Sequence, residues 1–277
     1  MRVAGESVRG RRHGWGALWG PPAGRTLAWL AAVLALASCG AHIASLPPAP
    51  HVGASGPTIA RIQRAGTLHV AADLSYPPIA FRDDAGPKGF DVDLATLLAQ
   101  ALGVHLAVVD TPLAVLHAGV PAGADLALGA LPSGTVPGRA SAPYLMVGQA
   151  IVSHGRGAVS SVAGLRGLRV AAVAGSPGAG MAGQAGASTV ELLYLPEQAL
   201  AALEAGRVQA AVVDEPVARD YAADHGGLAV AGAGGATVPL VAVAPESAPD
   251  LAGFVADALQ QLGQNGGLAR LRERWHL

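Results

Sequence analysis

A single cysteine in 277 residues excludes an intrachain disulfide framework and a cysteine-based zinc site, so the fold must rest on packing. Lysine is almost missing too: Lys88 is the only one among 18 basic residues. Charged residues make up 13% of the chain and aromatic residues 4%. The apolar run at residues 27–37 falls well short of the roughly 18 residues that mark a membrane-spanning helix. What is present is 51% hydrophobic, with 38 Gly and 20 Pro, too apolar for a disordered chain and long enough for two modest domains.

Charge is near balance at −1, but Arg2, Arg9, Arg11, Arg12 and Arg25 precede residue 39 against Glu6 alone. The remainder carries 13 basic and 18 acidic residues, net −5, with no basic stripe, which excludes nucleic acid as a partner. His69, His105, His117, His154 and His225 are scattered without metal-ligand spacing. No GxGxxG, GxxxxGK[ST], HExxH or GxSxG follows a strand-like segment. Neither a metal nor a cofactor is expected.

The Arg-rich start, the short apolar run and the small residues after it predict an export signal over residues 1–38. Leu36-Ala37-Ser38-Cys39 resembles the bacterial lipobox, which implies acylation of Cys39 and anchorage to a membrane; the alternative is a buried free thiol. Residues 39–57, rich in Pro, Ala, Gly and Ser, read as a lipidated flexible tether, with folding expected from Thr58.

The body patterns as α/β. Residues 67–72 read as a strand, followed by a turn-rich segment at 73–78. Leu94, Leu97, Leu98, Ala101 and Leu102 recur at helical spacing, with Asp91 placed to cap the helix and Gly103 to stop it. Residues 104–109 and 125–130 read as strands, giving β-α-β order with buried, parallel-type strands. After an extended apolar segment at 145–152 the pattern restarts, with strands at 168–174, 190–195 and 208–213 and a helix from Pro196 to the stop at Gly206. Residues 238–244 read as another strand, 251–262 as an amphipathic helix and 268–275 as a short terminal helix. Two α/β units of about ninety residues, with a last segment able to return to the first, describe a two-lobed protein with a cleft.

Residues 67–103 (TLHVAADLSYPPIAFRDDAGPKGFDVDLATLLAQALG), Ser141-Ala-Pro-Tyr144, residues 165–176 (LRGLRVAAVAGS), residues 201–217 (AALEAGRVQAAVVDEPV) and the closing residues 266–275 together resemble the family 3 bacterial extracellular solute-binding proteins, the polar amino acid receptors of ABC importers. The resemblance implies an α/β, two-lobed type II periplasmic-binding-protein fold with an interlobe cleft. Lobe 1 is expected from residues 58–147 plus 239–277 and lobe 2 from 148–238, joined by strands near 145–152 and 238–244. It further implies a monomeric, extracytoplasmic, lipid-anchored receptor that binds a small solute, an amino acid in most members, and partners an ABC permease without catalysing a reaction.

The resemblance also assigns roles. Asp214 matches the position that binds the ligand ammonium, although an Asp before Glu215-Pro216 also suits a helix N-cap. Asp73 and Tyr76 match a ligand-lining loop, with an Asx turn and plain packing as alternatives. Gly175, Ser176 and Gly178 match the turn that meets the ligand carboxylate at a helix N-terminus, where Ser176 also suits a cap. The chain departs from the family between Asp125 and Tyr144, where an ungapped match puts Pro137 at the position of the carboxylate-gripping Arg. Arg139 is then the candidate clamp, or a solvated loop Arg. No aromatic stands between Phe90 and Tyr144, so Leu113 or Leu116 is expected as an aliphatic wall. Gln209, inside a strand-like segment, reads as structural, and Trp275 as packing for the terminal helix. An arogenate or prephenate dehydratase-like enzyme on this fold, with Asp73 or Asp214 as acid or base, and a lipoprotein with an empty cleft are the alternatives.

Overall fold

The computed structural model describes residues 45–277 apart from residues 156 and 236. The expected signal at 1–38 and the lipidation site Cys39 lie outside the described residues.

Helix α1 (Pro57–Ala65) precedes strand β1 (Thr67–Ala72), a small antiparallel meander of β2 (Ser75–Tyr76), β3 (Ala80–Asp83) and β4 (Gly86–Lys88), helix α2 (Phe90–Leu102), strand β5 (His105–Asp110), helix α3 (Leu113–Leu116), and strands β6 (Leu126–Ala127), β7 (Arg139–Ala140) and β8 (Leu145–Val147). Strand β9 (Gln149–His154) then leads into β10 (Arg169–Val173), α4 (Pro177–Gln184), β11 (Thr189–Leu193), α5 (Pro196–Glu204), β12 (Ala210–Asp214), α6 (Glu215–Asp224) and β13 (Leu228–Gly232). The chain closes with β14 (Val238–Leu240), β15 (Val243–Ala244), α7 (Pro249–Gln264) and α8 (Gly267–Arg274).

These elements form two five-stranded sheets, each the centre of a lobe. In the first the order is β5-β1-β6-β15-β7, with β1 parallel to β5 and β6 and with β15 antiparallel to both its neighbours. In the second it is β11-β10-β12-β9-β13, with β10 parallel to both neighbours and β9 antiparallel to β12 and β13. The lobes are joined through an antiparallel β8/β14 ribbon: β8 continues past Gly148 into β9, and β14 continues into β15. The first core holds Phe90, Leu94, Leu97 and Leu98 of α2 against Leu251, Phe254 and Val255 of α7. The second packs Leu200 and Leu203 of α5 on Val152, Ala211 and Val213. These are the helix faces that the apolar spacing marks, because removing apolar surface from water is the main gain available to so uncharged a chain.

Four local expectations change. Residues 46–54, read as part of a flexible tether, pack on the first lobe: Leu46, Ala49, Val52 and Ala54 lie against its core, and the His51 N–H donates to Gln261 Oε1 at 2.5 Å. The expected strand at 125–130 pairs only at Leu126–Ala127, because Gly129 and Ala130 turn away with positive φ. The expected strand at 238–244 is divided, its first half pairing with β8 and its second with β6 and β7. Helix α6 and strand β13 went unread, since α6 buries little beyond Pro216, Val217 and Ala218 and so shows no continuous apolar stripe.

Asp91 is the fourth. It does not cap α2; Gly89 is the N-cap residue, and Asp91 sits in the first turn, buried, accepting the Ala130 N–H at 2.8 Å. Burial raises its carboxyl from 3.8 to about 6 against the pull of that bond. A carboxyl whose folded pKa is raised favours the fold below its unfolded pKa and loses that contribution as pH climbs through the folded one, here between about 4 and 6. Asp91→Asn, which keeps an acceptor for Ala130, removes this dependence. The variant should gain on the parent as pH rises from 4 to 7, by up to about 3 kcal/mol, read from paired urea melts at the two pH values.

Candidate functional site

Parallel strands present their C-terminal ends to a ligand. At that end of the second sheet stands Asp214, last residue of β12 and N-cap position of α6, yet its side chain makes no cap bond. It accepts instead from the Tyr76 hydroxyl and from Gln149 Nε2. Tyr76 lies on β2 of the first lobe and Gln149 opens β9 directly after the linking ribbon, so one carboxylate gathers both lobes and their connection. Burial holds the Asp214 carboxyl above its usual range, while the Tyr76 and Gln149 bonds draw it back down. The Tyr76 phenol is held well above its ordinary value by burial first, then by the charge of Asp214 and its hydrogen bond, and further by the charge of Glu197.

Two groups that the sequence did not single out carry buried oxygens without partners. Gln149 is 2% exposed, and with its Nε2 on Asp214 its Oε1 is left buried without a hydrogen-bond partner. A buried acceptor in that state costs free energy until a donor reaches it. Glu197, in the first turn of α5, likewise has a buried Oε1 without a partner, and burial raises its carboxyl. Gln149 had a legible signal, a lone amide in the buried run QAIVS; Glu197 had none, since an acid in a first helical turn is favoured anyway by the helix dipole.

The turn before α4 takes the expected shape. Gly175 adopts φ +77° and Ser176 caps the helix, its Oγ accepting the Ala179 N–H at 3.2 Å. Gly178 backs onto Asp214's partner: a Cβ there would lie 2.8 Å from Gln149 Oε1 and 2.9 Å from Val212 Cγ1. Asp73 makes the Asx turn, accepting from Ser75 N–H at 3.0 Å and Ser75 Oγ at 2.6 Å, while its other oxygen holds the Leu113 N–H at 2.7 Å. Both of its oxygens are engaged within the lobe. Leu116 is fully buried in the core and cannot form a wall, whereas Leu113 remains part-exposed.

Arg139 is corrected as a clamp. It opens the edge strand β7 opposite Ala244, and its neighbour Ala140 is level, through Val243 and Ala127, with Ala71. Arg139 therefore lies a step back from the ligand end of the sheet, and its Nε donates to the Glu246 backbone oxygen at 2.9 Å with the Glu246 carboxylate at 3.5 Å. The segment that would carry a clamp is zipped to the ribbon's continuation: Ser133 N–H donates to Pro239 O at 2.9 Å and Val241 N–H to Leu131 O at 3.0 Å. Arg139→Ala should leave solute affinity within about twofold and cost under about 1 kcal/mol of stability, as an exposed ion pair does. Titration calorimetry with the solute and a thermal melt check both.

A family model for the bacterial extracellular solute-binding proteins, family 3, matches residues 68–277. The chain belongs to that family. Among solved structures, an ancestral cationic amino acid solute-binding protein aligns with 28% identity and a TM-score of 0.68, over 79% of this chain and 99% of the other. An ancestral arginine-binding protein bound to arginine gives 27%, 0.63, 76% and 98%. An amino acid ABC transporter substrate-binding protein from Streptococcus pneumoniae, bound to L-arginine, gives 26%, 0.64, 80% and 99%. A cyclohexadienyl dehydratase from Pseudomonas aeruginosa is 46% identical over 52 residues, and that match spans only 18% of this chain and 19% of the enzyme.

As a family 3 binding protein the chain has the two-lobed α/β fold, and its family is one of extracellular binding proteins. Gln209 and Trp275 have structural partners: Gln209 Oε1 accepts the Arg169 N–H at 2.7 Å, and Trp275 donates to Asp93 Oδ2 at 2.8 Å while meeting Phe81 edge-on. Among the described residues no group of three or more His, Cys, Asp or Glu is arranged to hold a metal ion, and no helix is long and apolar enough to cross a membrane.

Proposed function

We propose that the protein captures a small solute of amino-acid size through a protonated amine, and delivers it to an ABC importer while held to the membrane at Cys39. The observation that carries this reading is the Asp214 carboxylate, hydrogen-bonded by Tyr76 from one lobe and Gln149 at the junction with the other. A cation entering between the lobes finds the Asp214 carboxyl, with the unpartnered Gln149 Oε1 beside it, in a partly dehydrated place where charge-assisted bonds are strong. Binding then favours the closed arrangement in which both lobes touch the ligand. The solved relatives described as binding amino acids, and arginine in particular, support the size and charge class.

The test is a thermal-shift screen of the purified chain against amino acids, amines and small organic acids. A saturable rise in melting temperature for one amine-bearing class supports the receptor. A cooperative melt that no compound moves would instead leave a cleft closed on itself by the Tyr76 to Asp214 bond.

A second reading rests on the dehydratase match and on Asp214, an acid that burial keeps more readily protonated. A protonated carboxyl beside a leaving group is what an acid-catalysed elimination needs. Incubation with arogenate or prephenate decides it: recovery of either compound unchanged removes the enzyme reading.

A further inference from the structure

We infer that the cleft selects an aliphatic organic cation that lacks a carboxylate, of the alkyl diamine or guanidinoalkylamine class, over the corresponding amino acid. This rests on the receptor reading above and narrows its substrate.

Two donors at the site, the Tyr76 hydroxyl and the Gln149 amide nitrogen, are already given to Asp214. Asp214 brings a carboxyl on which Tyr76 and Gln149 converge from the two sides. Gln149, nine-tenths buried and more, has its Oε1 unpartnered beside Asp214 and toward the bare face of Gly178. That atom needs a donor, and Asp214 needs a cation; an ammonium or guanidinium supplies both, and a carboxylate supplies neither.

Among the described residues, several groups able to receive a carboxylate are committed elsewhere. Pro137 stands where the resemblance would put the clamping Arg, and Arg139 is bonded to Glu246 behind the ligand end of the sheet. Arg82 faces Asp110, Lys88 pairs with Asp83, and Arg219 is bound to Glu215 through two nitrogens. The Ala130 N–H, in the loop after β6, is turned inward onto buried Asp91. At the start of α4, Pro177 has no N–H and that of Ala179 goes to Ser176, which leaves the Gly178 N–H and the Ser176 hydroxyl proton to meet an anion. Without an arginine clamp these two groups grip a carboxylate weakly beside Asp214, whereas a positive end gains from that carboxylate.

Matched pairs test this directly. The full-length purified chain is titrated by calorimetry with arginine and agmatine, which is arginine without its carboxylate, and with lysine and cadaverine, related in the same way. Agmatine and cadaverine should each bind at least about tenfold more tightly than their amino acid. Asp214→Asn, with a melting curve showing that the variant is folded, should weaken the amines at least about tenfold. Equal or tighter binding of arginine and lysine, abolished by Asp214→Asn, overturns the inference and leaves the receptor intact. Heat from none of the four, with Asp214→Asn indistinguishable from the parent, overturns both.

Discussion

Asp214→Ala should remove most of the ligand-induced rise in melting temperature while leaving the unliganded melt near that of the parent. Truncating one partner of a buried charged pair costs about 2–5 kcal/mol of binding, or roughly thirtyfold to several thousandfold in affinity. At a hundred times the parental dissociation constant, the solute stabilises the folded state by about 2.7 kcal/mol, which moves the melting point of a body this size by roughly 5–11 °C. In the variant at least about two-thirds of that shift disappears. The unliganded protein should not suffer in proportion, because burial already raises the Asp214 carboxyl and so disfavours its charge in the fold. Removal gives up the Tyr76 and Gln149 hydrogen bonds and, in return, relieves a charge held partly out of water. A shift retained in full would show that the amine is held elsewhere; a collapsed unliganded melt would show that Asp214 is structural.

Gly89→Ala should be the most damaging single substitution to stability. Gly89 is the N-cap residue of α2 at φ +124°, a conformation L residues rarely adopt, and a Cβ there would run into the Ile79 carbonyl, whose carbon would be only 2.7 Å away. The neighbouring bonds explain why the chain cannot easily shift: Phe90 N–H donates to Pro78 O at 3.1 Å and Asp91 N–H to Ile79 O at 2.8 Å, tying the helix start to the loop behind Tyr76. Strain in such a backbone state is about 1–3 kcal/mol and overpacking adds about as much, so a loss of roughly 3–5 kcal/mol is expected in urea unfolding. Because that loop also positions Tyr76, solute affinity should fall with it. Stability within about 1 kcal/mol of the parent would mean that the loop yields freely and that Gly89 is no constraint.

Much of the architecture was legible because it is written in short range. The spacing of Leu94, Leu97, Leu98 and Leu102 gives α2, and all four are buried in the first core. The turn at Gly175 to Gly178 and the strand end at Asp214 were readable for the same reason, since each depends on residues within a few positions. Helix α6 and strand β13 were not, because their burial comes from neighbours rather than from a strong pattern of their own. Asp91 shows the limit from the other side. Its position suits a helix start, and only the turn at Gly129 and Ala130, folded over it, draws the carboxylate inward.

By itself the sequence determined the order of elements, the two-lobed α/β class and the candidacy of Asp214, for these follow from local periodicity and from motifs carried on contiguous residues. Only the tertiary structure decided what each candidate touches. Tyr76 reaches Asp214 across 138 positions, Gln149 across 65, and Arg139 finds Glu246 across 107, so the same arginine that could grip a carboxylate is committed to another partner. Hydrogen bonds and ion pairs reach only a few ångströms, and which distant residues come that close is fixed by how the two sheets and the ribbon between them pack.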